Sequence, residues 1–80
     1  MQLRSIAAHQ TEIEGADGTV VLYSYSTPVA AFVPGRGALC TTTKYSQTTA
    51  RDINAAVQRW GATRVDVGQA EIDKLAGGVA

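Results

Sequence analysis

Lys44 and Arg51 bracket a hydroxyl-rich run, Tyr45, Ser46, Thr48 and Thr49, inside the stretch TTTKYSQTTARDIN at residues 41–54. Cations and hydroxyl donors at the entry to a helix are the parts of an anion grip. The first turn of a helix has unpaired N–H groups and a partial positive charge. Lys44 and Arg51 would add full charges, and Tyr45 could stack on a base or fill a pocket. The same residues also fit a plainer role as a strand end and a helix cap. Thr49-Ala50-Arg51-Asp52 matches a loose capping box, with a hydroxyl at the N-cap and an acid three residues on. That pattern recurs at Thr11-Glu12-Ile13-Glu14 in an expected strand, so it carries little weight alone. Capping and strand propensity account for Thr41, Thr43 and Thr49, and leave Lys44, Tyr45, Ser46 and Thr48 over.

Other chemistries lack their parts. The chain has one His, His9, and one Cys, Cys40. With scattered carboxylates these make no triad, dyad or metal set, so no catalytic residue, metal or cofactor is expected. GRGALC lacks the Gly-Lys-Ser/Thr ending of a phosphate loop and runs into a strand rather than a helix. Cys40 reads as a small buried hydrophobe, His9 as a surface residue and Trp60 as core.

The elements that must position residues 41–54 follow from periodicity. An expected strand within residues 3–14 leads to Asp17-Gly18, a tight-hairpin signal. TVVLYSY at 19–25 is a second strand, with Val21, Tyr23 and Tyr25 on one side and Val20, Leu22 and Ser24 on the other. Thr27-Pro28 interrupts it, because proline cannot donate to a ladder. VAAFV at 29–33 is a third strand, Pro34-Gly35 fits the centre of a type II turn, and ALCTTT at 38–43 is a fourth. Ile53, Ala56, Val57 and Trp60 then recur at helical spacing, with Gly61 as the stop. TRVDV at 63–67 reads as a short edge strand and 69–76 as a second short helix. The expected fold is therefore α+β: a four-stranded antiparallel meander with one amphipathic helix on a face and a short C-terminal extension.

Eighty residues make a single small domain, 1–80, with a limited core. A core of that size supplies roughly 3–5 kcal/mol, so the chain is either a marginal monomer or a self-associating one. Open sheet edges and the Tyr23/Tyr25 pair favour a homodimer. No signal-type apolar segment or 18-residue apolar run occurs, so a cytoplasmic protein without membrane contact is expected. Net charge is zero, yet residues 36–64 hold Arg36, Lys44, Arg51, Arg59 and Arg64 against Asp52 alone. This basic segment is either ordinary solvated surface or a footprint for nucleic acid.

LYSYSTPVAAFVPG and TTKYSQTTARDIN together resemble a small uncharacterised domain family common in phage and other viral genomes. Its members carry a Ser-Tyr-x-Thr-Pro-Val-Ala element, here Ser24, Tyr25, Thr27, Pro28, Val29 and Ala30. A Lys-Tyr-Ser-x-Thr-Thr element then opens a helix, here Lys44, Tyr45, Ser46, Thr48 and Thr49, with Ile53 following. Relatives often place a histidine before that isoleucine, where Asp52 stands here. The resemblance covers about residues 20–60, implies a phage-like origin and transfers no activity. Small phage proteins bare of catalytic residues include anti-defence and anti-CRISPR inhibitors, an analogy of size and origin only. The leading expectation is a non-catalytic protein that occupies a surface on a host protein or protein complex. Its contact residues would be Lys44, Tyr45, Ser46, Thr48, Arg51, Arg36 and Tyr25. The alternative is an accessory protein that contacts nucleic acid through the basic segment.

Overall fold

The computed structural model describes residues 2–7 and 10–79, so His9 lies outside the described residues. Six strands form one sheet in the order β1 to β6: Gln2–Ala7, Gln10–Glu14, Val20–Ser24, Thr27–Val33, Gly37–Thr41 and Arg64–Val67. β1 to β5 run antiparallel, and β6 lies parallel to β5. Helix α1, Gln47–Trp60, is the crossover that a parallel pair requires, and α2, Gln69–Val79, ends the chain.

The class is α+β, as the periodicities predict, but the expected sheet was too small. Residues 2–14 split into two paired strands instead of one, and 64–67 joins the sheet as its parallel edge. The second helix is a layer in its own right. Leu22, Val29, Ala30, Cys40, Ile53 and Ala56 form the core under α1, with Val57 and Trp60 packed against it. Val21, Ala31 and Ala76 form the core under α2, flanked by Ile13, Tyr23, Val33 and Leu75. Each fully buried Val or Leu contributes about 1.5–3 kcal/mol. Trp60 closes the first core at its rim: it is half-buried, with its ring centroid 6.2 Å from that of Phe32.

Thr27-Pro28 is not the break after the second strand: β3 ends at Ser24 and β4 already begins at Thr27, with Pro28 its second residue, close to the strand end where proline is tolerated. The register slips between Leu22 and Tyr23, which pair with Ala30 and Pro28 and leave Val29 as a bulged extra residue. The bulge turns both Val29 and Ala30 into the α1 core, which strict alternation would forbid. Ser24 pairs with Thr27, so Tyr25 and Ser26 form a two-residue turn with Tyr25 at φ +57°. Tyr25 therefore leaves the strand, and the expected shared face of Tyr23 and Tyr25 does not exist. Tyr23 packs beneath α2 while Tyr25 is 80% exposed.

Asp17-Gly18 lies in a longer β2–β3 connection rather than a two-residue hairpin. There the Gly15 N–H bonds Thr19 O at 2.8 Å, and the Asp17 carboxylate accepts the Thr19 N–H at 3.0 Å. The turn at Pro34-Gly35 forms as expected, with Arg36 N–H to Val33 O at 2.9 Å and Gly35 at φ +86°. α1 stops at Gly61, in the left-handed region at φ +64°, whose N–H bonds Val57 O and Gln58 O.

Candidate functional site

Three chain reversals meet at one end of the sheet: the Tyr25-Ser26 turn, loop 42–46 between β5 and α1, and Gly68 at the entry to α2. The loop is pinned from both sides. Thr41 Oγ1 accepts the Thr43 N–H at 3.1 Å and donates to Gln69 Oε1 at 2.7 Å. Tyr45 OH donates to the same oxygen at 2.8 Å. Gln69 Nε2 donates to Pro28 O at 2.8 Å and Asp73 Oδ1 at 2.9 Å. One amide thus uses its full capacity, two lone pairs and two N–H bonds, to join β4, β5, loop 42–46 and α2.

The helix cap lies three residues before the expected Thr49. Ser46 is the N-cap, and its Oγ accepts the Thr49 N–H at 3.1 Å. Thr49 sits at N3, buried, where its hydroxyl receives Ser46 Oγ at 3.1 Å and lies 3.4 Å from Ser24 Oγ. Asp52 therefore takes no part in a capping box. The serine at the end of β3 and the threonine inside α1 fasten the helix entry to the sheet.

Between that entry and β6 lies an open crevice of about 570 Å³. Loop 42–46 forms its mouth, Thr49, Ala50, Ile53 and Asn54 one wall, and Arg64 and Asp66 of β6 the other. It exists because α1 covers the centre of the sheet and leaves the edge strand's α1-facing side bare. Arg64 is fixed across it, with Nε donating to Asp66 Oδ1 at 2.9 Å and Nη1 to Asn54 Oδ1 at 2.5 Å. The bond to Asp66 holds the Arg64 guanidinium more firmly protonated than usual. The mouth lies at the carboxyl end of β5, and the opposite wall runs along β6 from its first residue, Arg64, to Asp66.

The expected contact residues divide. Lys44, Tyr45 and Ser46 line the crevice, and Tyr25 stands at the same end of the sheet, next to Ser24. Thr48 and Arg51 are exposed on α1 but do not line the crevice. Arg36 is at the opposite end of the sheet and pairs with Glu71 at 3.2 Å. The basic segment is not one patch. Arg59 pairs with buried Glu12, Arg64 with Asp66 and Arg36 with Glu71, so each meets an acid from outside the segment. Among the described residues, Lys44 and Arg51 are the cations of that segment without an ion pair.

Asp66, Asn54 and Gln69 belong to the site and were not among the expected residues, and Arg64 was expected only as part of the basic segment. The alternation Arg64-Val65-Asp66 places both charges on one strand face, a signal that period 2 could have given. Gln69 offers no such signal, since three of its four bonds reach residues far away in sequence. Cys40 is buried in the α1 core, and burial pushes its thiol up, away from nucleophilic chemistry. Among the described residues no group of three His, Cys, Asp or Glu stands close enough to hold a metal ion. No helix there is long and apolar enough to cross a membrane.

A family model, a family of unknown function (DUF8033), matches residues 1–74. The chain belongs to DUF8033. No curated protein and no solved structure matches it significantly. The match to DUF8033 spans the sheet, α1, β6 and the first half of α2, so the crevice and the Gln69 junction both fall inside the family domain.

Proposed function

We propose that this DUF8033 chain is a non-catalytic binding protein that acts by occupying a surface on a protein partner. Its contact surface is the sheet end formed by Tyr25, loop 42–46 and the start of α1. The observation that carries this reading is Tyr25, a non-glycine residue at φ +57° and 80% exposed. A bulky side chain in the left-handed region costs about 1–2 kcal/mol, and strain of this kind clusters at functional positions. Tyr45, 46% exposed, and Lys44 stand at the same end. Tyrosines on pinned backbone are the usual anchors of protein interfaces. The resemblance to phage-borne domains supports a host complex as the partner, in the manner of an anti-defence inhibitor.

Nucleic acid is the weaker reading, because Arg36, Arg59 and Arg64 each pair with an acid, which breaks up the basic stripe that would follow a phosphate backbone. Photo-crosslinking residues at positions 25 and 45, with position 58 on the far side of α1 as control, test the proposal in host extract. The expected result is one shared protein adduct from 25 and 45, absent from 58. Its affinity for the purified chain should fall tenfold or more in Tyr25→Ala, about 1.4 kcal/mol. Mobility-shift titrations with DNA and RNA at low salt should be blank. Micromolar, salt-dependent retardation would overturn the reading in favour of nucleic acid.

A further inference from the structure

We propose that the crevice between α1 and β6 binds a small organic phosphate. This site goes beyond the protein-partner reading and does not depend on it. The volume, about 570 Å³, is that of a mononucleotide-sized ligand rather than a lone ion. Two cations reach it from different elements, Lys44 from the loop and Arg64 from β6. Arg64 is already oriented by Asp66 and Asn54, which use Nε–H and one Nη1–H and leave three guanidinium N–H groups to donate. Lys44 has no ion pair among the described residues, and its ammonium adds three more donors. The Thr42 and Thr43 hydroxyls, both exposed, complete a donor set suited to the several oxygens of a phosphate. Asp66 offsets one charge, so the site prefers a monoanion or dianion to a polyphosphate. The opposite part of the lining is apolar: Ala50, Ile53 and the Tyr45 ring give a flat body a surface to lie on.

Amide shift mapping of the full chain tests this with adenosine monophosphate, adenosine, inorganic phosphate and benzoate as probes. The nucleotide should move amides of residues 42–47, 50, 54 and 64–66, and bind at least tenfold tighter than adenosine or inorganic phosphate. Lys44→Ala and Arg64→Ala should each weaken it about tenfold. Ala50→Leu, at an exposed helical position on the crevice wall, should abolish binding in a folded chain. No shift with the nucleotide at millimolar concentration, or shifts outside the crevice, would overturn the site. Benzoate binding as tightly as the nucleotide would overturn the phosphate assignment. Inorganic phosphate binding as tightly would overturn the apolar half. Unchanged affinity in both cation variants would overturn the assigned contacts.

Discussion

The two ends of the sheet solve the same problem, reversing a chain, with opposite materials. At the end holding the β2–β3 and β4–β5 turns, glycine takes the difficult backbone angles: Gly18 at φ +89°, Gly35 at +86° and Gly37 at +109°. Arg36 there pairs with Glu71, and the Asp17 carboxylate accepts the Thr19 amide. At the other end the left-handed position of the β3–β4 turn holds a tyrosine, the neighbouring loop carries a lysine with no ion pair among the described residues, and a crevice stays open beside them. The first end uses the residues that cost least. The second accepts backbone strain to put an aromatic ring outside, and that difference separates scaffold from contact surface.

The largest effect should come from Gly37→Ala at the scaffold end. A Cβ there would stand 2.6 Å from the Thr63 carbonyl oxygen, at a φ that side chains avoid. That oxygen accepts the Ala38 N–H at 2.8 Å and begins the β5–β6 pairing. A loss of ~2–3 kcal/mol is expected in urea denaturation, a large part of the stability available at this size. An unaffected Gly37→Ala would mean that β6 does not pack as described, and the crevice wall with it.

Gln69→Ala should act at the contact end with a smaller effect. It removes the bonds to Thr41, Tyr45, Pro28 and Asp73. These are half-exposed, so the expected loss is about 1–2 kcal/mol, with faster amide exchange in residues 42–46. Tyr45→Phe, which removes one of those bonds, should cost about 0.5 kcal/mol and sharpen the picture of which bond pins the loop.

Acid should distinguish the two ends by the least amount. The Thr19 N–H holds the Asp17 carboxyl below its ordinary value. A depressed folded pKa gives stability that is present above the unfolded value and is lost as pH falls through the folded one. Thr19 amide protection should therefore decline below the ordinary carboxylate range, while protection of the Thr49 amide, held by a serine hydroxyl, should show no matching step.

Much of this fold is legible locally. Ile53, Ala56, Val57 and Trp60 mark α1, and Gly61 and Pro34-Gly35 mark its end and a turn, because each depends on neighbours within a few residues. The parallel pairing of β6 is not legible, since a four-residue strand states no partner. The cap at Ser46 is obscured by a second hydroxyl three residues later with an acid in the right place. The site was half visible: Lys44, Tyr45 and Ser46 stand out by composition. The neutralisation of Arg36 by Glu71 and of Arg59 by Glu12 arises only when distant elements pack, and it removes the basic patch that the chain's charge order suggests.

Tyr25→Gly tests the central claim, because it relieves the strained angle and removes the aromatic ring at once. Stability should change by no more than about 1 kcal/mol, the relieved angle offsetting the contact the side chain gives up, while affinity for the crosslinked partner falls tenfold or more. A melting temperature that drops with partner affinity unchanged would make Tyr25 a structural turn residue and contradict the account.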